Sequence, residues 1–342
     1  MASHRPLRVV LPGGSGQVGT LLARHFHSKG DSVAVLTRRP ARVPWRTIAW
    51  DGVNPGPWVE QLEGADVVIN LVGRSVNCRY GAKNRDEIMQ SRVESTRLLG
   101  AAIADAPKPS LLWINASTAT IYRHALDRPM DELTGELGGH EFNAPPSWHF
   151  SIDVAKKWEE AFFAAHTPGT RKIAVRSAMT MSPDRGGIFD TLLRLVRLGL
   201  GGTAGSGKQF VSWIHELDFV RAIDFLIANE QMTDSINLAA PFPRPNQEFM
   251  KVLRQAYGRK IGLPANRWML ELGAFFLRTE TELILKSRRV VPGRLLNAGF
   301  EFRFPDWPSA ARDLVHRWRE TAHGNASTST QALAAEADSR TR

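Results

Sequence analysis

Leu7-Arg8-Val9-Val10-Leu11-Pro12-Gly13-Gly14-Ser15-Gly16-Gln17-Val18-Gly19 is the stretch on which the fold turns. A Val-rich apolar run ends in a glycine cluster. A helical pattern follows, with Val18, Leu21, Leu22 and Phe26 on one side. The order is strand, tight loop, helix. Gly13, Gly16 and Gly19 have the spacing G-x-x-G-x-x-G. Each position has a mechanical reason: a tight turn, room for backbone to approach a pyrophosphate, and close packing of helix on strand. Amides at the helix start then face the phosphates, helped by the helix dipole. A structural turn also uses glycine, but a strand before and an amphipathic helix after favour a dinucleotide loop formed by Gly13, Gly14, Ser15, Gly16, Gln17 and Val18.

Further apolar runs follow at Val33 to Leu36, Thr47 to Trp50, Val67 to Val72, Leu111 to Asn115 and Lys172 to Val175. They are apolar throughout rather than alternating, which suits parallel strands covered on both faces. The expected fold is α/β, a Rossmann-type doubly wound parallel sheet with a smaller C-terminal substrate lobe. Phe150 to Ala165 reads as a helix with Phe150, Val154, Trp158 and Phe162 on one stripe. Past Ser177, Gly-rich and Pro-rich segments alternate with helical patterns at Asp218 to Asn229, Gln247 to Tyr257 and Pro308 to Arg319. The expected division is 7–178 for nucleotide binding, 179–319 for the lobe and 320–342 for a disordered tail without periodicity.

A ribose selector is due about 20 residues past the loop, where the sequence reads Leu36-Thr37-Arg38-Arg39. No carboxylate is there to accept from a free 2′-hydroxyl, whereas guanidinium groups pair with a 2′-phosphate. NADP(H) is therefore favoured over NAD(H), although two solvated arginines would read the same way. Asn70-Leu71-Val72-Gly73, ending the fourth strand, falls beside the adenine and pyrophosphate in such a fold, or is a plain strand-to-loop transition.

Composition narrows the partners. The 342 residues are 43% hydrophobic and 23% charged, and 44 Lys and Arg against 34 Asp and Glu leave a net charge of +10. The basic residues are scattered rather than gathered in a stripe or arm, so a solvated surface is expected, with a small-molecule substrate and neither nucleic acid nor membrane as partner. A single cysteine, Cys78, excludes an internal disulfide or a zinc site built on several thiolates, and no metal is expected. With no signal peptide expected in Met1 to Leu7, that fits a reducing cytoplasm. Trp268 to Leu277 is about half the length of a membrane span and contains Glu271, so it reads as a buried helix.

The chain resembles the extended short-chain dehydrogenase/reductases, and more narrowly their atypical, epimerase-like (SulA-like, NAD-dependent epimerase/dehydratase) branch. The resemblance runs from Leu7 to Arg319. It rests on the glycine loop, Thr37-Arg38, Asn70-Leu71, Ser91-Arg92-Val93, Trp158-Glu159, Gly205 to Gln209 with Ser212-Trp213-Ile214-His215, Asn237, Ala240-Pro241 and Gly299-Phe300. It implies a family C-terminal domain of unknown function over about 244–319. It also implies cofactor contacts from the loop, Thr37, Arg38, Asn70, Leu71, Glu87 and Arg92; Gly73 completes that strip. Arg92 equally suits a solvated helix face.

Ordinary members of that superfamily use a Tyr acid/base, a Lys four residues later and a Ser or Thr that orients the carbonyl, because hydride transfer needs a proton donor matched to the working pH. None of Tyr80, Tyr122 and Tyr257 has Lys four positions on. Alignment through Trp158-Glu159 puts Ser151 in place of the Tyr and Ala155 in place of the Lys, while Thr118 in Ser117-Thr118-Ala119 keeps the hydroxyl position or simply ends a strand. Thr118 and Ser151 are thus the candidate catalytic residues. His149 suits a proton donor by chemistry and a helix start by position. Arg176, Lys208 and His215 are candidate contacts for a small anionic substrate; His215 with Asp218 equally suits a helix cap. Two functions follow: an NADP(H)-dependent oxidoreductase or epimerase-like enzyme, or a catalytically silent NADP(H)-binding regulatory protein.

Overall fold

A computed structural model of the chain describes residues 5–141, 144–265 and 282–321. The expected helix at Trp268 to Leu277 and the tail from residue 322 lie outside the described residues.

The opening run is strand β1 (Arg8–Pro12), and the amphipathic pattern after the glycines is helix α1 (Gln17–Ser28). Strands β2 (Ser32–Thr37), β3 (Arg46–Ala49) and β4 (Val67–Asn70) follow, then helix α2 (Ala82–Ala104), strand β5 (Leu112–Thr118), helix α3 (Pro146–Ala164) and strand β6 (Arg171–Ser177). Next come β7 (Met179–Met181), α4 (Ile188–Arg197), β8 (Phe210–Val211), β9 (Trp213–His215), α5 (Glu216–Ala228), β10 (Asp234–Leu238), β11 (Arg244–Pro245) and α6 (Asn246–Tyr257). A last helix covers residues 307–321.

The main sheet has the order β3-β2-β1-β4-β5-β6-β10, and every pairing in it is parallel. The strand order reverses between β1 and β4, which opens a crevice at their carboxyl ends, the place where such sheets take ligands. Side chains alternate across each strand. Val9, Leu11, Val67 and Ile69 pack with Leu22 and Phe26 of α1 and Phe219 and Ile223 of α5. Val10, Leu36, Val68 and Trp113 pack on the other face with Leu99 and Ile103 of α2 and Phe162 of α3. Both faces are thus dry, which is why the strands read as unbroken apolar runs. Each fully buried large side chain contributes about 1.5–3 kcal/mol.

The sheet does not end at residue 178. β10 returns to pair with β6, and α5 lies beside α1, where Asp224 binds His25 at 2.7 Å and Lys29 at 2.9 Å. The described residues past 178 therefore both complete the sheet and build a second core. Trp213, Phe249 and Trp307 centre that core, with the Phe249 and Trp307 rings stacked 4.0 Å apart. Among the described residues, no helix is long and apolar enough to cross a membrane.

Candidate functional site

A cleft of about 390 Å³ opens at the crevice between β1 and β4. Gly13, Gly16, Gln17 and Val18 line one end, and Thr118, Ser151, Glu282 and Arg288 the other. Gly13 takes φ +72°, and a Cβ there would lie 2.7 Å from the Val72 backbone nitrogen. Its own N–H donates to the Leu36 carbonyl at 2.9 Å. A Cβ on Gly19 would lie 2.4 Å from the Gly14 Cα, so helix and loop touch through backbone alone. At Gly16 a Cβ meets nothing within 4 Å, the open approach a pyrophosphate needs. Gly16 caps α1 in an extended conformation with no side-chain cap hydrogen bond among the described residues; the first amides of a helix are the groups that bind anions. The Gln17 Nε2 is buried there without a hydrogen-bond partner among the described residues. Gly187, at the start of α4, approaches so closely that its Cβ would lie 2.1 Å from that nitrogen. An open backbone cradle beside an unsatisfied buried donor fits a dinucleotide phosphate.

At the end of β2, Thr37 is buried and donates to Ser15 Oγ at 3.1 Å, while Arg38 is exposed and makes no hydrogen bond or ion pair among the described residues. That leaves its guanidinium free for a phosphate beyond the strand. Asn70 braces the strand from within, and it does not line the cleft. Its amide donates to Asn115 at 2.7 Å and Thr96 at 3.1 Å, and its carbonyl oxygen accepts from the Val72 N–H at 3.1 Å. It is fully buried and fixes the Leu71–Gly73 strip, of which Leu71 lines the cleft.

Arg92 on α2 lines the cleft beside Gly73. Its Nη1 donates to the Arg74 and Ile88 carbonyls at 3.1 and 3.0 Å, and its guanidinium lies 5.1 Å over the Trp158 ring. Burial pushes it down to about 10, so it stays protonated at neutral pH, with backbone carbonyls rather than a carboxylate as its hydrogen-bond acceptors among the described residues. Glu87, one turn earlier, pairs with Arg74 and lies outside the cleft lining.

At the far end Thr118 closes β5, accepting from the Thr120 N–H at 3.2 Å and facing the cleft. Ser151, on the second turn of α3, donates to Glu282 Oε2 at 2.5 Å and lies 3.4 Å from the Tyr80 hydroxyl. Arg288 reaches Thr120 Oγ1 at 3.0 Å and Glu282 Oε1 at 3.7 Å. Tyr80, Glu282 and Arg288 are not among the site residues read from the sequence. Their signal there is nil, because Tyr80 lacks the downstream Lys and the other two arrive from a segment more than 130 residues past Ser151.

Three residues read as substrate contacts are not brought to the cleft wall. Arg176 turns into the core, where Nε and Nη2 bind both oxygens of Glu159 at 2.8 and 2.7 Å and Nη1 donates to Tyr122 at 2.9 Å. Burial opposes its charge, but the Glu159 carboxylate outweighs burial and holds it firmly protonated. His215 is fully buried; Nδ1 accepts from the Leu217 N–H at 3.1 Å as the cap of α5, Nε2 meets Asp313 at 3.0 Å, and its ring stacks on Phe304 at 4.0 Å. Asp218 accepts from the Arg303 and Phe304 amides, each at 2.8 Å. Lys208 is exposed on the loop before β8, away from the lining residues. Tyr122 donates its hydroxyl to Asn237 at 3.0 Å, and His149, which suits a proton donor by chemistry, does not line the cleft.

Comparison with known proteins agrees with this geometry. Residues 9–239 match the model of the NAD dependent epimerase/dehydratase family, and residues 266–314 match a Domain of unknown function (DUF1731). The chain is 30% identical over 316 residues to the Epimerase family protein SDR39U1 of Homo sapiens, covering 90% of this chain and 100% of that one. A crystal structure of the human epimerase family protein SDR39U1 (isoform 2) with NADPH superposes with a TM-score of 0.78 at 28% identity, covering 90% of this chain and 99% of that one. A nucleoside-diphosphate sugar epimerase from Corynebacterium glutamicum superposes with a TM-score of 0.71 at 28% identity, over 91% of this chain and 59% of that one.

Proposed function

The chain belongs to the NAD dependent epimerase/dehydratase family, and from that premise we propose that it is an NADP(H)-binding, epimerase-like oxidoreductase acting on a small anionic substrate. The observation that carries this reading is the cleft itself, with an uncapped helix start, an open Gly16 and an unsatisfied Gln17 donor at one end and hydroxyl groups at the other. The relative crystallised with NADPH supports the same cofactor here. The loop from Gly13 to Val18 takes the pyrophosphate, with Ser15 and Thr37 shaping the ribose side. Arg38 neutralises the 2′-phosphate. When bound, NADPH supplies a hydride. Thr118 orients the acceptor carbonyl, and Arg92 and Arg288 give the cleft a positive wall that draws an anionic substrate.

A second reading is a regulatory protein that binds NADP(H) without turnover. Buried Ala155 favours it, because it stands on α3 where the resemblance puts a lysine. Incubation of the pure protein with NADPH and panels of carbonyl compounds and sugar nucleotides separates the two. Substrate-dependent NADPH oxidation supports the enzyme; saturable NADPH binding with oxidation by no member of either panel supports the regulator.

A further inference from the structure

Resting on that cofactor reading, we propose that Ser151 and Glu282 form the ionisable couple of the reactive end, supplying the proton chemistry for which the chain has no Tyr-Lys pair. A serine is a poor acid near neutrality, but here its Oγ donates to a carboxylate oxygen 2.5 Å away, in a side chain with no exposed surface. Both residues line the cleft that the loop glycines open, with Thr118 on the same wall. Burial penalises an ionised Glu282, whereas the Ser151 hydroxyl and the Arg288 guanidinium, 3.7 Å off, favour it. Opposed pulls of this kind bring a carboxyl group within reach of both protonation states.

Among the described residues, the charged and titratable groups near Glu282 include Tyr80, Arg288 and Lys286, with Glu141 acting on Lys286. Tyr80 precedes α2 and reaches the couple through Ser151 at 3.4 Å. Arg288 is held by Thr120, and Lys286, whose Nζ donates to the Thr120 carbonyl at 2.8 Å, interacts with the Glu282 charge. In carbonyl reduction the substrate carbon accepts the hydride that bound NADPH supplies, and the carbonyl oxygen takes the Ser151 proton. Ser151 Oγ recovers a proton from the Glu282 carboxyl group, and solvent later reprotonates Glu282. The products are the alcohol and NADP+, with two electrons and one proton accounted for; oxidation runs the same path backwards.

The oxidised nicotinamide is cationic and the reduced one neutral, so an ionised Glu282 beside the ring favours NADP+ over NADPH. Dissociation constants of both coenzymes, measured on the full chain from about pH 5 to 9, therefore test the couple without a substrate. Titration of the 2′-phosphate is common to both and cancels in their ratio. The expected result is a preference for NADP+ that rises with pH by on the order of tenfold, the scale of one charge pair at short range. Glu282→Gln should flatten the ratio. Ser151→Ala, which removes a donor to the anion, should move the transition to higher pH. Wild-type protein that binds both coenzymes with a constant ratio overturns this proposal alone; binding of neither overturns the cofactor reading as well. A transition that survives in Glu282→Gln belongs to Lys286 and overturns the proposal. If Glu282→Gln loses NADPH binding through misfolding, Ser151→Ala decides: a raised transition supports the couple, and an unmoved one overturns it.

Discussion

The two ends of the cleft are built in different ways. The phosphate end is one contiguous loop whose chemistry is backbone: Gly13 turns the chain, Gly16 leaves space and Gly19 lets α1 press on Gly14. The opposite end is a wall of side chains from four separate segments, carrying Tyr80, Thr118, Ser151 and Arg288. Behind it stands a buried network of Glu159, Arg176, Tyr122 and Asn237. The loop is specified by what is missing from it, and the wall by pairings that only the folded chain creates.

The largest expected effect probes that network. Arg176→Met strands the Glu159 carboxylate in the core, and loss of one partner from a buried pair costs about 3–5 kcal/mol, to be read from urea unfolding. Lowered ligand affinity at unchanged stability would instead put Arg176 back on the cleft. Next comes acid sensitivity of the second lobe. Burial pushes His215 down to about 4 from 6.5, with Asp313 pulling the other way. The unfolded imidazole gains its proton near pH 6.5 while the folded one refuses it until about pH 4. The stability is thus complete above about pH 6.5 and falls by about 3 kcal/mol on the way to pH 4. His215→Gln should remove this part of the slope, and an unchanged slope would show that the ring is not buried in its neutral form.

At the other end, Gly19→Ala forces a methyl group to 2.4 Å from the Gly14 Cα. Overpacking of this kind costs about 1–3 kcal/mol, and NADPH fluorescence should show affinity lost with it. An alanine that binds NADPH as well as glycine would break the claim that the loop works by backbone contact. The smallest effect belongs to Lys208→Ala, exposed and off the cleft, with less than about 0.5 kcal/mol change in stability and no change in NADPH affinity.

The contrast also explains what the sequence alone could tell. The glycine spacing, the apolar strands and Arg38 at the end of β2 are local, and each keeps its place after folding. The place of Thr118 and Ser151 on the cleft wall was within reach because their neighbours in sequence position them. Ser151 nevertheless has its meaning from Glu282, 131 residues away, and no local pattern announces that contact. Arg176 misled for the same reason, since a charged residue in a strand reads as a ligand contact until Glu159 is seen facing it. Asn70 stands at the expected place, and its amide braces β4 against β5 and α2 through contacts no local pattern announces. The division at residue 178 followed a change in composition, whereas the sheet needed β10 to cover its β6 edge.

Isothermal calorimetry with NADPH and NADH, on the wild type and on Arg38→Asp, tests the central claim most directly. The account predicts saturable NADPH binding, tighter than NADH by about ten- to a hundredfold as expected for charge-assisted phosphate contacts, with that advantage lost in Arg38→Asp and NADH binding retained. No heat with either coenzyme, or equal losses for both in the variant, would contradict it.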